Sequence, residues 1–228
     1  DRSPSRGLGD EYKRQTGNDA NNGSKRKPLK TIAAALQRVN PGDTVFLREG
    51  SYREFVVPTR SGKPGKMITL KSYPGETAKI DGSDLYIKGW GNALVQVNNI
   101  DYMQFENLHI CHAHDSENNT DPEGIYITGT SGNITFRGCK VYDIKNDCPL
   151  VDAKGDWRSA HAILVLGTDD NTPIRNLLIE KCEIFEIHSG TSEAFTLAGN
   201  VVDFTIQDNE VHLSLIHISE PTRRTPIS

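Results

Sequence analysis

Three residues with acid–base side chains recur at one position of a repeated sequence pattern. Glu123, His161 and Glu193 each stand directly before a glycine or alanine that opens a run of strand-forming residues. If the repeats stack as parallel strands about 4.8 Å apart, these side chains form one polar column. A histidine between two carboxylates has its charged form favoured. The column could carry out acid–base catalysis, hold Ca²⁺ through Glu123 and Glu193, or be a hydrogen-bonded structural stack.

Long polar loops enter and leave this column. They span residues 111–123, 145–161 and, more briefly, 188–193. Long loops on a rigid scaffold are common places for binding and catalysis. One interpretation is a carbohydrate cleft in which Trp157 stacks on a sugar ring, and the other is a set of solvated polar loops. The further substrate-binding candidates are His112, His114, Asp152 and Asp156.

The elements that must position these residues are internal repeats. Residues 94–110, 124–144, 162–187 and 194–211 each contain short β-type runs separated by small turn residues. They align on Phe105, Phe136, Ile179 and Ile206, followed three residues later by Leu108, Cys139, Cys182 and Asn209. Repeats of this size indicate a solenoid in which each coil buries its apolar face against its neighbours. The sequence therefore predicts an all-β chain.

The N-terminal region contains a helix pattern before the first strands. Residues 29–40 place Ile32, Ala35, Leu36 and Val39 on one face at helical spacing. Thr31 is the expected N-cap, and the Pro-Gly pair at 41–42 ends the helix. We expect this short helix to cover the open first coil of the solenoid, because exposed strand edges recruit other chains.

The N-terminal motifs carry a specific resemblance. The string GNDANNGS, KPLKTIAAAL, PGDTVFLREGSYRE, ITLKSYPGE and IDGS resembles secreted proteins of the pectate-lyase-like superfamily. The resemblance implies a right-handed parallel β-helix, an extracellular location and β-elimination on acidic polysaccharides. In that chemistry carboxylates hold Ca²⁺ against the uronate and a Lys or Arg removes a proton. The cations present for this role are Lys145, Lys154 and Arg158, of which Lys154 and Arg158 are the predicted catalytic residues, with a polysaccharide as the partner.

Other functions stay open at this stage. A glycoside hydrolase is less favoured, because Asp169 and Asp170 follow Gly167 in a turn sequence and no Gly-His-Gly or Arg-x-Lys motif accompanies them. A non-catalytic carbohydrate-binding or adhesion β-helix is one alternative. A phage tailspike-type glycan binder is another, and it predicts a trimer, whereas a lyase is expected to be a monomer at full length.

Composition excludes several classes of partner. The formal net charge is −4 and the pI is near 6.0, which disfavours nucleic acid and anionic membranes. No segment approaches the roughly 18 apolar residues of a membrane-spanning helix. The four cysteines form no C-x-x-C pair, so a zinc or redox motif is not indicated. Cys111 and Cys148 are expected in loops, where they could pair in a secreted protein.

Both ends of the chain have an unusual character. Residues 213–223, LSLIHISEPTR, match a transposase-type sequencing adapter translated in frame, and residues 5–15 resemble its other strand. We therefore predict that segments 1–15 and 213–228 are adapter-derived. Residues 16–212 are then a truncated β-helix domain, a fragment that ends on an uncapped coil.

Overall fold

The chain folds into a parallel β-helix built from three sheets. The computed structural model describes residues 17–87, 91–117, 120–148, 158–190 and 192–212. Within these ranges every pairing between named strands is parallel, and neighbouring strands in each sheet come from successive coils. The predicted all-β solenoid is confirmed.

Each coil contributes up to one strand to each sheet. The first sheet contains β5 (Ala93–Asn98), β8 (Glu123–Thr128), β11 (His161–Gly167) and β14 (Phe195–Gly199). The middle sheet contains β1 (Thr44–Leu47), β3 (Ile68–Ser72), β6 (Asp101–Glu106), β9 (Gly132–Arg137), β12 (Ile174–Glu180) and β15 (Val201–Gln207). The third sheet contains β2 (Gly50–Tyr52), β4 (Ala78–Asp81), β7 (Leu108–Asp115), β10 (Lys140–Asn146), β13 (Glu183–His188) and β16 (Glu210–His212).

The register predicted from the repeats is the register that the structure shows. Phe105, Phe136, Ile179 and Ile206 are successive partners in the middle sheet. In the third sheet Ile110, Val141, Ile184 and Val211 are partners in the same way. Like side chains therefore stack along the axis of the solenoid and fill its core. The rings of Phe105 and Phe136 lie parallel, with centroids 4.5 Å apart and 6° between their planes.

The predicted N-terminal helix is present but shorter than expected. It is α1 (Ile32–Leu36), and the Thr31 side chain accepts a hydrogen bond from the Ala34 amide, which confirms the N-cap. Beyond Leu36 the Arg38 amide bonds back only three residues, to Ala35. The last turn is thus too tight to continue an α-helix to residue 40. Leu29, Ile32, Leu36 and Val39 belong to the main hydrophobic cluster.

Two further sequence expectations are corrected. Cys111 lies inside β7 rather than in a loop, and Cys148 is buried just beyond β10. All four cysteines are free and buried, so Cys111 and Cys148 do not pair in this structure. The run Tyr52 to Val57 also predicts a strand, but β2 is Gly50–Tyr52, and Val56 makes only an isolated bridge to Val95.

The proposed ends of the domain stay a prediction. Residues 1–16 and 213–228 lie outside the described residues. Among the residues that are described, none of the helices is long and apolar enough to cross a membrane.

Candidate functional site

A hydrogen-bonded chain of side chains runs across three successive coils at the start of the first sheet. His161 Nδ1 lies 2.9 Å from Asp121 Oδ1, and His161 Nε2 lies 2.8 Å from Ser192 Oγ. Ser192 Oγ in turn lies 3.2 Å from Glu193 Oε2. Asp121 is 1% exposed and His161 is 4% exposed, whereas Ser192 is half-buried and Glu193 is exposed. This series of hydrogen-bonded side chains therefore leads from the interior of the protein to its surface.

Backbone contacts fix the inner part of this chain. The His161 amide donates to the Pro122 carbonyl, which joins the start of β11 to the residue after Asp121. The Asn146 side chain donates to the carbonyl and hydroxyl oxygens of Thr120, directly before Asp121. Asp121 and His161 are therefore held by three neighbouring segments.

A tight turn fixes the outer part. The Ser192 amide donates to the Ser189 carbonyl, and Gly190 pairs with Ser159 in an isolated bridge. Gly190 has φ 61°, and a Cβ there would lie 2.6 Å from the Arg158 carbonyl oxygen. Only glycine fits this position without movement. Ser192 thus follows a turn whose position is fixed against residues 158–159.

The predicted Glu–His–Glu column is only partly what the structure shows. Glu123 and His161 are register partners in the first sheet, as expected. However, the ring nitrogens of His161 bond to Asp121 and Ser192 rather than to the two glutamates. The reason is that Glu193 precedes the start of β14 and reaches the network only through Ser192. A side chain two residues before the aligned position, Asp121, takes the place expected for Glu123.

Glu123 is a buried acid with an altered pKa. The residue is 0% exposed, and neither carboxyl oxygen has a hydrogen-bond partner within the described part of the chain. Burial and the neighbouring charge of Asp121 raise the pKa of Glu123 to about 9. The Gly91 backbone N–H opposes this rise, although its geometry falls short of a regular hydrogen bond. Glu123 therefore holds a proton at neutral pH.

The remaining catalytic and binding candidates divide between described and undescribed residues. Arg158 Nη1 donates to the Cys148 carbonyl, across the base of the loop that was predicted to form a cleft. Lys154, Trp157, Asp152 and Asp156 lie outside the described residues. Their predicted roles stay predictions.

A second polar surface lies on the outer side of the third sheet, near the ends of its strands. His114, Lys145 and His188 are successive register partners, and we call them the basic column. Asp143 Oδ2 lies 2.9 Å from His114 Nε2, and Asp143 Oδ1 lies 3.4 Å from Lys145 Nζ. Asp147 contacts Lys145 and His188 at 3.9 and 3.5 Å. The basic column is therefore interleaved with carboxylates.

His112 is turned towards the preceding coil. Its Nδ1 lies 2.8 Å from Asp81 Oδ1, and its φ of 61° bends β7 at this point. Burial alone would raise the pKa of Asp81, but hydrogen bonds from Ser83 and His112 lower it to about 2. Asp81, Cys111 and His112 bring one ligand atom each within 4.8 Å of one another, as do Glu183, Glu210 and His212. Neither cluster includes Glu123 or Glu193.

A shallow cleft of about 280 Å³ lies beside the basic column, at the end of β7. Its lining combines apolar and aromatic side chains with acids and one histidine: Leu85, Tyr86, Ile87, His114, Asp115, Ser116, Glu117 and Asp147. His114 thus lines a concave surface, and its predicted binding role stays a prediction. His112 is not among the lining residues.

The sequence did not single out Ser192 or Asp81, and it indicated Asp121 only as one of many ligand-type groups in the long loops. Asp121 and Ser192 stand two residues and one residue before the predicted column positions Glu123 and Glu193. A search for hydrogen-bonding side chains flanking the aligned positions would have found both. Asp81 ends β4 in register with Cys111, and nothing in its sequence context distinguishes it from a turn residue.

Comparison with known proteins identifies relatives over most of the chain. Residues 11–201 match the sequence model of a family described as "Pel9A-like, right handed beta helix region". This match includes residues 11–15 of the segment predicted to be adapter-derived. The chain is 31% identical over 205 residues to the uncharacterized protein YwoF of Bacillus subtilis, covering 90% of this chain and 43% of YwoF. It is 25% identical over 135 residues to the pectate lyase PEL9 of Emericella nidulans, covering 54% and 31%.

Solved structures share the fold. The crystal structure of pectate lyase Pel9A aligns with TM-score 0.59 and 18% identity, covering 91% of this chain and 54% of that protein. A lacto-N-biosidase from Eubacterium ramulus aligns with TM-score 0.59 and 17% identity, covering 76% and 33%. Because these identities are low, the likeness shows the fold alone. The chain spans less than half the length of the curated relatives it matches.

Proposed function

Because this chain belongs to the Pel9A-like right-handed β-helix family, we propose that it is part of a secreted lyase that cleaves uronate-containing polysaccharides by β-elimination. The family is described by its likeness to Pel9A, and the relative in Emericella nidulans is named a pectate lyase. The observation that carries the proposal for this chain is the basic column beside the cleft on the third sheet.

The basic column suits an acidic glycan. His114, Lys145 and His188 repeat at the spacing of the coils, about 4.8 Å. A uronate chain carries one carboxylate on each sugar, and Lys145 offers it an ammonium group while the histidines offer ring N–H donors. The interleaved acids Asp143 and Asp147 hold these side chains in place. His112 does not line the cleft, because its ring nitrogen contacts Asp81 on the preceding coil.

The proton-abstracting group is proposed to come from the loop beside this surface. Lys154 and Arg158 are the proposed bases, Trp157 is proposed to stack on a sugar ring, and Asp152 and Asp156 are proposed to bind sugar hydroxyls. Arg158 lies at the base of that loop, bound to the Cys148 carbonyl. His161 and Glu193 are proposed to contribute from the adjacent network, with Ser192 between His161 and the surface.

Ca²⁺ stays part of the proposal, and the donor set at the first sheet fits it in type. Both carboxyl oxygens of Glu123 and Oδ2 of Asp121 are buried with no hydrogen-bond partner in the part of the chain that the structure describes. Carboxylate oxygens are the ligands that Ca²⁺ prefers. Glu123 would first have to lose its proton, and Glu193 would have to turn from Ser192. When bound, the ion would acidify the proton next to the uronate carboxylate.

A direct assay tests the lyase. The full-length protein incubated with polygalacturonate should generate the ultraviolet absorbance of unsaturated uronate, and a chelator should reduce the rate. Replacing Lys154 with Ala should lower the rate by at least about 100-fold, the usual contribution of a general base. Replacing Lys25, a remote lysine in the N-terminal segment, with Ala is the matched control. Retention of the glycan without any unsaturated product would instead favour a non-catalytic binder.

The second candidate function, a non-catalytic glycan binder, has its own structural support. Both ring nitrogens of His161 are engaged in hydrogen bonds, and the residue is 4% exposed. His161 therefore does not itself face a polysaccharide. A glycan-binding β-helix needs only the basic column and the cleft, and it predicts binding that is lost when Lys145 is replaced by Ala.

A further inference from the structure

We propose that Ser192, His161 and Asp121 form a catalytic triad that hydrolyses carboxylic esters carried by a polysaccharide. The ester chemistry stands on the geometry of these three side chains. Only the choice of a polysaccharide as the carrier rests on the proposed function.

The three side chains meet the geometric requirements of acyl transfer. A triad needs a buried carboxylate on Nδ1 of a histidine and a serine hydroxyl on Nε2 of the same ring. Here the corresponding distances are 2.9 Å for Asp121 Oδ1 to His161 Nδ1 and 2.8 Å for His161 Nε2 to Ser192 Oγ. The three residues come from three successive coils, so the solenoid rather than local sequence assembles them.

The burial of each member fits its role. Asp121 is 1% exposed and keeps the imidazole oriented, His161 is 4% exposed, and Ser192 is half-buried at the end of the chain nearest to solvent. An ester can therefore approach the hydroxyl while the two groups behind it stay dry. Electrostatic interactions are stronger in such a water-poor setting.

The hydrogen-bond distances are compatible with the tautomer that the reaction needs. With the ring proton on Nδ1 donated to Asp121, the Nε2 lone pair is free to accept the Ser192 O–H. Ser192 Oγ has a second acceptor in Glu193 Oε2, but at 3.2 Å it is the longer contact.

The position of the serine is fixed by its turn. Gly190 packs against the Arg158 carbonyl at a distance that no Cβ tolerates, and the Ser192 amide closes the turn onto Ser189. This restraint keeps Ser192 Oγ within hydrogen-bonding distance of His161 Nε2. Catalytic groups that are already held in position lower the entropic cost of reaching the transition state.

The reaction balances with water as the only co-reactant. Ser192 Oγ attacks the ester carbonyl carbon while its proton passes to His161 Nε2. The tetrahedral intermediate collapses, the C–O bond to the alcohol breaks, and the alcohol oxygen takes the proton from His161. Water then gives a proton to His161, attacks the acyl-serine, and releases the carboxylic acid as Ser192 regains its proton.

Two esters of a polysaccharide share this chemistry. One is an acyl group on a sugar hydroxyl, which would be released as a carboxylic acid such as acetic acid. The other is an alkyl ester of a uronate, whose alkyl group would be released as an alcohol, methanol in the case of a methyl ester. The first reaction frees a sugar hydroxyl, and the second frees a uronate carboxylate. Both leave a glycan of the acidic kind that the basic column suits.

The test uses ester hydrolysis and active-site labelling. The wild-type chain should hydrolyse p-nitrophenyl acetate and react covalently with a fluorophosphonate probe, with the label on the peptide containing Ser192. Replacing Ser192 with Ala should abolish labelling and lower hydrolysis by at least about 100-fold. Acetylated and methyl-esterified polygalacturonate, assayed for acetate and for methanol, then identify the natural ester.

Matched variants separate catalysis from folding. Ser24→Ala removes an exposed serine of the N-terminal segment and should leave labelling unchanged. Ser192→Cys keeps a nucleophile and should react with iodoacetamide faster than the buried native cysteines. Asp121→Asn tests the positioning residue and should slow labelling more than about tenfold while the melting temperature stays within a few degrees.

Some outcomes would overturn the proposal. Equal hydrolysis by wild type and Ser192→Ala, or a fluorophosphonate label on other residues only, would show that Ser192 is not a nucleophile. Loss of lyase activity with retained ester hydrolysis would refute the proposed function and leave the triad standing. Lyase activity without ester hydrolysis would refute the triad alone.

Discussion

At the scale of single residues, the clearest consequence comes from the buried carboxyl of Glu123, which has no hydrogen-bond partner among the described residues. Glu123 is 0% exposed, and burial together with the charge of Asp121 raises its pKa to about 9 from 4.5. Between these values the folded chain holds a proton that the unfolded chain has released. Stability must then fall as pH rises across this window, because the unfolded state binds fewer protons than the native state.

Replacing Glu123 with Gln should remove this dependence. The variant has a similar shape and cannot ionise, so it should be more stable than wild type at pH 8, and the difference should shrink towards pH 5. The slope for wild type is at most about 1.4 kcal/mol per pH unit. Urea unfolding at several pH values measures it. A wild-type stability that rises from pH 5 to pH 8, in step with the variant, would show that Glu123 ionises normally.

At the scale of elements, stacking between coils supplies the packing energy. Phe105 and Phe136 are fully buried register partners on β6 and β9, with rings parallel at 4.5 Å. At the corner before the third sheet, Leu108 is the first residue of β7, and Cys139 and Cys182 directly precede β10 and β13. All three are buried. A solenoid coil has no core of its own, so these contacts between neighbours hold it.

Replacing Phe136 with Ala should destabilise the chain by about 3–5 kcal/mol, since the cavity lies between two coils that cannot close independently. Phe204→Ala is the matched control, because Phe204 lies on β15 and is 50% exposed. The control should change the free energy of unfolding by less than about 1 kcal/mol. Equal losses for the two variants would contradict the packing argument.

At the scale of the whole molecule, the two ends of the solenoid differ. The helix α1 and its flanking residues bury their apolar side chains against the first coils. At the other end β14, β15 and β16 each pair on one side only within the described residues. Val202, Phe204, Ile206 and Val211 are 40–52% exposed there. Exposed strand edges with apolar side chains favour association with other chains.

We therefore expect the chain as given to self-associate through its last coil. Sedimentation at increasing concentration should give masses above the 25.2 kDa of one chain. The double variant Phe204→Lys and Ile206→Lys should sediment as a monomer, because charges at the inward-facing positions of an edge strand resist pairing. Phe204 and Ile206 continue the rows of the buried Leu177 and Ile179, whereas Thr205 does not. Thr205→Lys, on the same strand, should still associate. A wild-type chain that stays monomeric and melts cooperatively would disprove the expectation.

The sequence alone determined the coil and its register. Side-chain character repeats where coils stack, so the alignment of Phe105 with Phe136 and of Cys139 with Cys182 could be made without coordinates. The N-cap of α1 at Thr31 could also be predicted from the sequence, since it depends on one side chain and a nearby amide. Such features are local or periodic, and periodicity survives in the sequence.

The tertiary structure alone decided which side chains meet at the candidate site. Strand pairing placed Glu123 beside His161, but the hydrogen bonds of the imidazole went to Asp121 and Ser192. Those two residues lie outside the strands, where loop conformation rather than strand period sets the direction of a side chain. A spacing in sequence cannot encode that direction, because it depends on the turn at Gly190 and on contacts between three separate coils.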